Sequence, residues 1–199
     1  MRALILVASA EKKDVSSTVG MQTTVQTSQL FKTRAEVVVP AAMAEMEKAI
    51  AERDFEAFAK VTMRDSNSFH ATCLDTSPPI FYLNDVSRAA IRAVESINQR
   101  AGKTVAAYTF DAGPNAVIYY LEDDKDVVVG PFKGALGEKE GWAGEQGVAV
   151  ASGRIEQEDE RVMSSLKSGV SRVILTGVGE GPISVQDHRV DENGRAVEA

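Results

Sequence analysis

Thr104-Val-Ala-Ala-Tyr-Thr-Phe-Asp-Ala-Gly-Pro-Asn-Ala-Val-Ile-Tyr-Tyr-Leu121 is the stretch that decides the fold. Thr104 to Phe110 and Ala116 to Leu121 hold the β-branched and aromatic residues of strands, and Asp111-Ala-Gly-Pro-Asn115 between them holds the residues of a turn. Two strands joined so closely form an antiparallel hairpin. Upstream, Arg2-Ala-Leu-Ile-Leu-Val-Ala-Ser9 is a short continuous apolar run, the pattern of a strand covered on both faces. Downstream, Arg172-Val-Ile-Leu-Thr176 reads as a last strand.

Helices fill the interval between the first strand and the hairpin. Glu11 to Met21 reads as a loop running into a helix. Met21, Val25, Leu30 and Phe31 are spaced for that helix to reach about Val37, against the low propensity of its many Thr and Gln residues. Pro40 suits the first turn of another helix, with Met43, Met46, Ala49 and Ile50 on one face. Asp54 is placed to cap a third, whose inner stripe is Phe55, Phe58 and Thr62 and which continues toward His70. Pro78-Pro79 ends what precedes it. Asn84 or Asp85 caps a fourth helix with the stripe Ala90, Ile91, Val94 and Ile97, and Gly102 stops it. From Glu122 to Gly169 the sequence is Gly-rich, charged and poorly periodic, with a short helix predicted near Glu158 to Lys167. The order predicts an α+β fold, with helices packed on one face of a mainly antiparallel sheet. No repeat or low-complexity linker divides the chain, so residues 1–199 are expected to form a single domain, with a loosely held polar tail over 184–199.

The 199 residues are 44% hydrophobic and 26% charged, enough for a sizeable core without staples. The apolar run Ala3 to Ala8 falls far short of the ~20 residues that span a bilayer, and no small-residue cleavage site marks a signal peptide. A net charge of −7 with no basic block argues against a nucleic-acid partner. The lone Cys73 can form no internal disulfide, which fits a reducing, cytoplasmic setting.

Four groups of residues are chemically suggestive. Asp111 ends a strand beside a flexible glycine, one way to present a general base; the ordinary alternative is an aspartate satisfying turn amides. Ser16-Ser17-Thr18 before Gly20 suits either an anion at a helix start or simple capping. His70 and Cys73 share a helix face, but zinc wants four ligands and the other histidine, His188, lies in the tail. A hydrogen-bonded histidine and a packed thiol are therefore expected, and a Cys–His nucleophile pair is disfavoured. Gly177-Val-Gly-Glu-Gly-Pro182 follows a strand, yet a proline and a polar tail stand where a nucleotide loop needs its helix. No Walker A sequence is present, so no ATP site is visible in this chain.

Lys12-Lys13-Asp14-Val15-Ser16-Ser17-Thr18 with Gly20-Met21, Asp65-Ser-Asn-Ser-Phe-His-Ala-Thr-Cys-Leu-Asp75 with Pro78-Pro79-Ile80, and Tyr108-Thr-Phe-Asp-Ala-Gly-Pro-Asn-Ala116 together resemble the diphosphomevalonate decarboxylases, of the fungal and eukaryotic type. The closing Arg172-Val-Ile-Leu-Thr176 with Gly179 and Gly181-Pro182 fits the same pattern. The resemblance implies membership of the GHMP kinase superfamily and a fold like its C-terminal domain. It implies ATP-dependent phosphorylation of the tertiary hydroxyl of mevalonate diphosphate, with phosphate and carbon dioxide then leaving to give isopentenyl diphosphate. Asp111 matches the aspartate that orients or deprotonates that hydroxyl. Ser16, Ser17, Thr18 and Met21 match the segment lining the substrate diphosphate.

ATP and magnesium serve the family, but its ATP loop, active-site lysine and essential arginine lie in an N-terminal half to which this chain shows no counterpart. Two readings follow. The chain is the substrate-side part of such an enzyme, incomplete without the ATP-binding half. Alternatively it is a self-standing truncated paralogue, either a binding module or an ATP-independent enzyme using Asp111 as acid or base. Lys12 and Lys13 are the cations expected near the site. A domain cut from its neighbour is also expected to expose an apolar face and to self-associate as a homodimer or larger oligomer.

Overall fold

The computed structural model describes residues 1–8, 15–154, 156–182, 184 and 195; Lys12, Lys13, His188 and most of the tail lie outside the described residues. Helices in chain order are α1 (Ser17–Thr27), α2 (Gln29–Thr33), α3 (Val39–Glu52), α4 (Phe55–Leu74), α5 (Asp85–Ala101), α6 (Lys125–Leu136), α7 (Glu145–Val148) and α8 (Glu160–Gly169). Strands β1 (Arg2–Ala8), β2 (Ala106–Thr109), β3 (Ala116–Tyr120) and β4 (Val170–Gly177) form one antiparallel sheet in the order β2-β3-β1-β4. The hairpin pairs Tyr108 with Ile118, and Leu4 of β1 lies between Ile118 and Leu175. The fold is α+β, as the sequence predicts.

One sheet face carries the core. Leu4, Leu6, Ile118 and Tyr120 are buried against Val94 and Ile97 of α5, Val128 and Phe132 of α6, and Met163 and Leu166 of α8. The reverse face is only partly covered: Phe58 of α4 meets Tyr119 edge-on at 5.6 Å. The expectation that β1 is covered on both faces is therefore corrected, because Ile5 and Val7 alternate with its buried residues and stay half-buried.

Local chemistry sets the helix ends. The Asp54 side chain accepts the Ala57 N–H at 3.0 Å, and Asn84 accepts from Val86 and Ser87 at 3.0 and 3.1 Å. Gly102 closes α5 with φ +66°, a left-handed conformation that favours glycine. The single helix expected from Met21 to about Val37 is instead broken at Ser28, whose backbone is extended. Beyond the break the chain runs on through α2, a π-helical turn over Arg34–Val38, and α3. Pro40, with no N–H to donate, sits in the first turn of α3 directly after the wide turn. On α3, Ala42 and Ala49 are buried while Met43 and Ile50 are exposed, so the expected apolar stripe is largely open. Among the described residues no helix is long and apolar enough to cross a membrane.

Candidate active site

The site lies where α1, the α2–α3 run and α4 converge on the turn after β2. Ser16 caps α1, its Oγ accepting the Val19 N–H at 3.3 Å. Gly20 faces Tyr82 so closely that a Cβ would run into the tyrosine hydroxyl; glycine is what lets α1 lie there. The break after α1 is pinned to the end of α4. Ser28 donates its hydroxyl to Asp75 Oδ2 at 2.8 Å, and the Leu30 N–H donates to the same oxygen at 3.0 Å. The Ser77 N–H donates to Thr27 Oγ1 at 2.9 Å, and the hydroxyls of Thr24 and Thr76 bond at 2.9 Å. The Leu30 amide first, and the Ser28 hydroxyl second, hold the Asp75 carboxyl below the usual carboxylate range.

Asp111 is fixed by its backbone. The Phe110 N–H just before it donates to Ser66 Oγ of α4 at 3.2 Å. The Gly113 N–H closes the turn onto the Asp111 carbonyl at 2.6 Å. One turn further along α4, His70 is buried between Phe69 and Phe110, with ring centroids 5.0 and 6.1 Å away and near-perpendicular planes. Its Nε2 finds no hydrogen-bond partner among the described residues. Burial pushes the imidazole below its ordinary range, opposed by the Phe110 backbone and the Asp111 charge.

A cavity of about 710 Å³ opens at this convergence. Ser17 and Met21 of α1 line one side, Phe69 and Cys73 of α4 another, and Tyr82 and Asp111 close it. Burial pushes the Cys73 thiol up, which leaves it a protonated, packed group as expected. Burial also raises Tyr82. Among the described residues no group of three or more His, Cys, Asp or Glu side chains gathers to hold a metal ion.

Of the chemically suggestive residues singled out in the sequence, Ser17, Gly20, Met21, Cys73 and Asp111 meet in this cavity. Ser16 acts as the cap of α1, and Thr18 is exposed on α1 outside the cavity lining. Sequence reasoning missed Arg34, Phe69 and Tyr82, which also line it. Only the three-dimensional packing joins them, so no local spacing marks them.

Similar proteins extend these observations. The family model for the mevalonate 5-diphosphate decarboxylase C-terminal domain matches residues 3–185. A diphosphomevalonate decarboxylase of Aspergillus fumigatus is 62% identical over 98% of this chain, which covers 50% of that protein. The crystal structure of a mevalonate 5-diphosphate decarboxylase superposes with a TM-score of 0.82 at 45% identity, over 96% of this chain and 51% of the other. A protein designated MDDEF, solved in complex with MVAPP, AMPPCP and magnesium, superposes with a TM-score of 0.57 at 27% identity, over 62% of this chain and 37% of its own. The chain thus spans about half the length of the curated relatives it matches.

Proposed function

Because the chain belongs to the mevalonate 5-diphosphate decarboxylase C-terminal domain family, we propose that it is the substrate-side part of a diphosphomevalonate decarboxylase. The observation that carries this reading is the shared cavity of Ser17, Met21 and Asp111. Mevalonate diphosphate would enter it with its tertiary hydroxyl toward Asp111. The carboxylate takes up the hydroxyl proton as the oxygen becomes a nucleophile, and the pinned turn holds it in place while it does so. Ser17 offers a hydroxyl donor, and Met21 an adaptable apolar wall, to the rest of the substrate.

The described lining does not fit a triphosphate with its magnesium ion, since it gathers a single guanidinium and a single carboxylate. ATP and magnesium therefore belong, in this reading, to an ATP-binding half supplied in cis or in trans. A cytoplasmic setting goes with it, in keeping with the free, buried Cys73. A single domain over residues 1–199 is part of the same proposal.

In whatever form of the protein releases carbon dioxide from mevalonate diphosphate, Asp111→Asn is expected to lower kcat about a hundred- to ten-thousandfold with the fold unchanged by circular dichroism. Wild-type kcat in that variant would remove Asp111 as the base. We further propose that the exposed apolar side of α1–α3, with Val25, Val37, Met43 and Ile50, is where the chain associates with a second copy. Size-exclusion chromatography is expected to give a dimer, and a clean monomer at high concentration counts against it.

A further inference from the structure

Among the described residues lining the cavity, Arg34 carries the one permanent positive charge. It begins the π-helical turn between α2 and α3, a rare local widening of the kind often found at functional sites. Its side chain is largely buried, 14% exposed, and its guanidinium carbon lies 5.9 Å from the Phe69 ring centroid, over the aromatic face. Nη1 is 2.9 Å from Asp65 Oδ1, yet neither atom finds a partner in hydrogen-bonding geometry among the described residues. The two meet as charges but off the axis of a bond. A buried guanidinium held in this way by a carboxylate and a ring is preorganised, and its hydrogen-bonding capacity is not met by Asp65.

We infer that Arg34 is a ligand-binding residue of this cavity, holding an anionic phosphate group of the same small molecule whose hydroxyl meets Asp111. This rests on the substrate-side reading above and adds to it the cation that the π-helical turn before α3 contributes. Asp65 and Phe69 are positioning residues: they set the direction in which the guanidinium presents its donors. The planar fork favours a phosphate oxygen pair over a single neutral acceptor. An uncharged alcohol of the same shape would leave the buried charge unanswered.

Calorimetric titration of the chain with mevalonate 5-diphosphate, and separately with inorganic pyrophosphate, tests the assignment. Wild type is expected to bind the two phosphates, and Arg34→Ala to bind them about tenfold or more weakly, with the fold unchanged by circular dichroism at the titration temperature. Arg34→Lys is expected to fall between the two, because lysine keeps the charge and loses the fork. If Arg34→Ala does not fold, Arg34→Gln, which keeps the stem and drops the charge, decides in its place. Equal binding of mevalonate 5-diphosphate by wild type and variant overturns the role of Arg34 and leaves the substrate-side reading standing. Arg34-dependent binding of pyrophosphate, with mevalonate 5-diphosphate binding no better, supports Arg34 and counts against that reading. No binding of either phosphate at millimolar concentration overturns the inference.

Discussion

The sheet side of the molecule and its α1–α3 side treat the same residue types in opposite ways. Leu4, Leu6, Phe132 and Leu136 lose essentially all contact with solvent between the sheet and α5, α6 and α8. Val25, Val37, Met43 and Ile50 are 57–62% exposed. Burial of apolar area is the main favourable term in folding, so the first region supplies the stability. The second is joined to it through α4: α3 packs along α4, where Ala42, Ala49, Ala59 and Val61 are buried, and hydrogen bonds run from Asp75, Thr76 and Ser77 at the end of α4 to α1 and the break after it. The candidate site sits in this second region, where an apolar surface remains open for whatever covers it. A stable frame thus carries a site whose surroundings are not closed by the chain's own core.

That contrast is most directly broken by paired truncations. Phe132→Ala removes a fully buried ring from the centre of the core and is expected to cost ~3–5 kcal/mol in chemical denaturation. Met43→Ala removes a side chain that is 59% exposed, and is expected to change stability by no more than about 0.5 kcal/mol at low protein concentration. A comparable loss in both variants would mean that the outer side of α3 is buried in solution and that the two regions are not distinct.

The same division explains what was legible in the sequence. The hairpin, β1 and β4 could be read because their β-branched, aromatic and apolar residues stand between turn residues, although the continuous apolar run of β1 overstated how far its second face is covered. Asp54, Asn84 and Gly102 could be read because capping is local. Helix α6 could not, because Gly130, Pro131 and Gly134 look like turn residues. They are there because the chain crosses α6 closely: Gly153 donates its N–H to the Gly130 carbonyl at 2.8 Å, and a Cβ at position 134 would strike the Gly153 carbonyl. Packing has overridden helix propensity. Within the site, Ser17, Met21 and Asp111 stood in recognisable segments, whereas Arg34 reaches the cavity from a run whose break at Ser28 depends on a distant aspartate, Asp75. Ser16 stood in the same segment as Ser17 and caps α1, its Oγ accepting the Val19 N–H while its O–H keeps its capacity to donate.

A smaller effect sharpens the boundary between the two regions, where His70 is buried beside the Asp111 turn. Burial, first among the causes, holds its folded pKa below the unfolded value of ~6.5. Between those two values the unfolded chain binds a proton that the folded chain does not. The contribution is therefore fully present above about pH 6.5 and is lost as pH falls from there toward the folded pKa. Asp75 acts in a separate, more acidic window: its lowered pKa gives stability present above ~3.9 and lost as pH falls through the folded value. Denaturation of wild type at about pH 7 and about pH 5 should thus show a fall in stability that His70→Gln, which keeps a polar group but cannot titrate, reduces. Asp111→Asn should enlarge that fall, because the Asp111 charge favours the protonated imidazole. Parallel pH–stability curves for wild type and His70→Gln would show that the imidazole is solvated in the folded protein, and that the Asp111 turn is not packed on α4 as tightly as the Ser66 hydrogen bond and the Phe110 ring contact require.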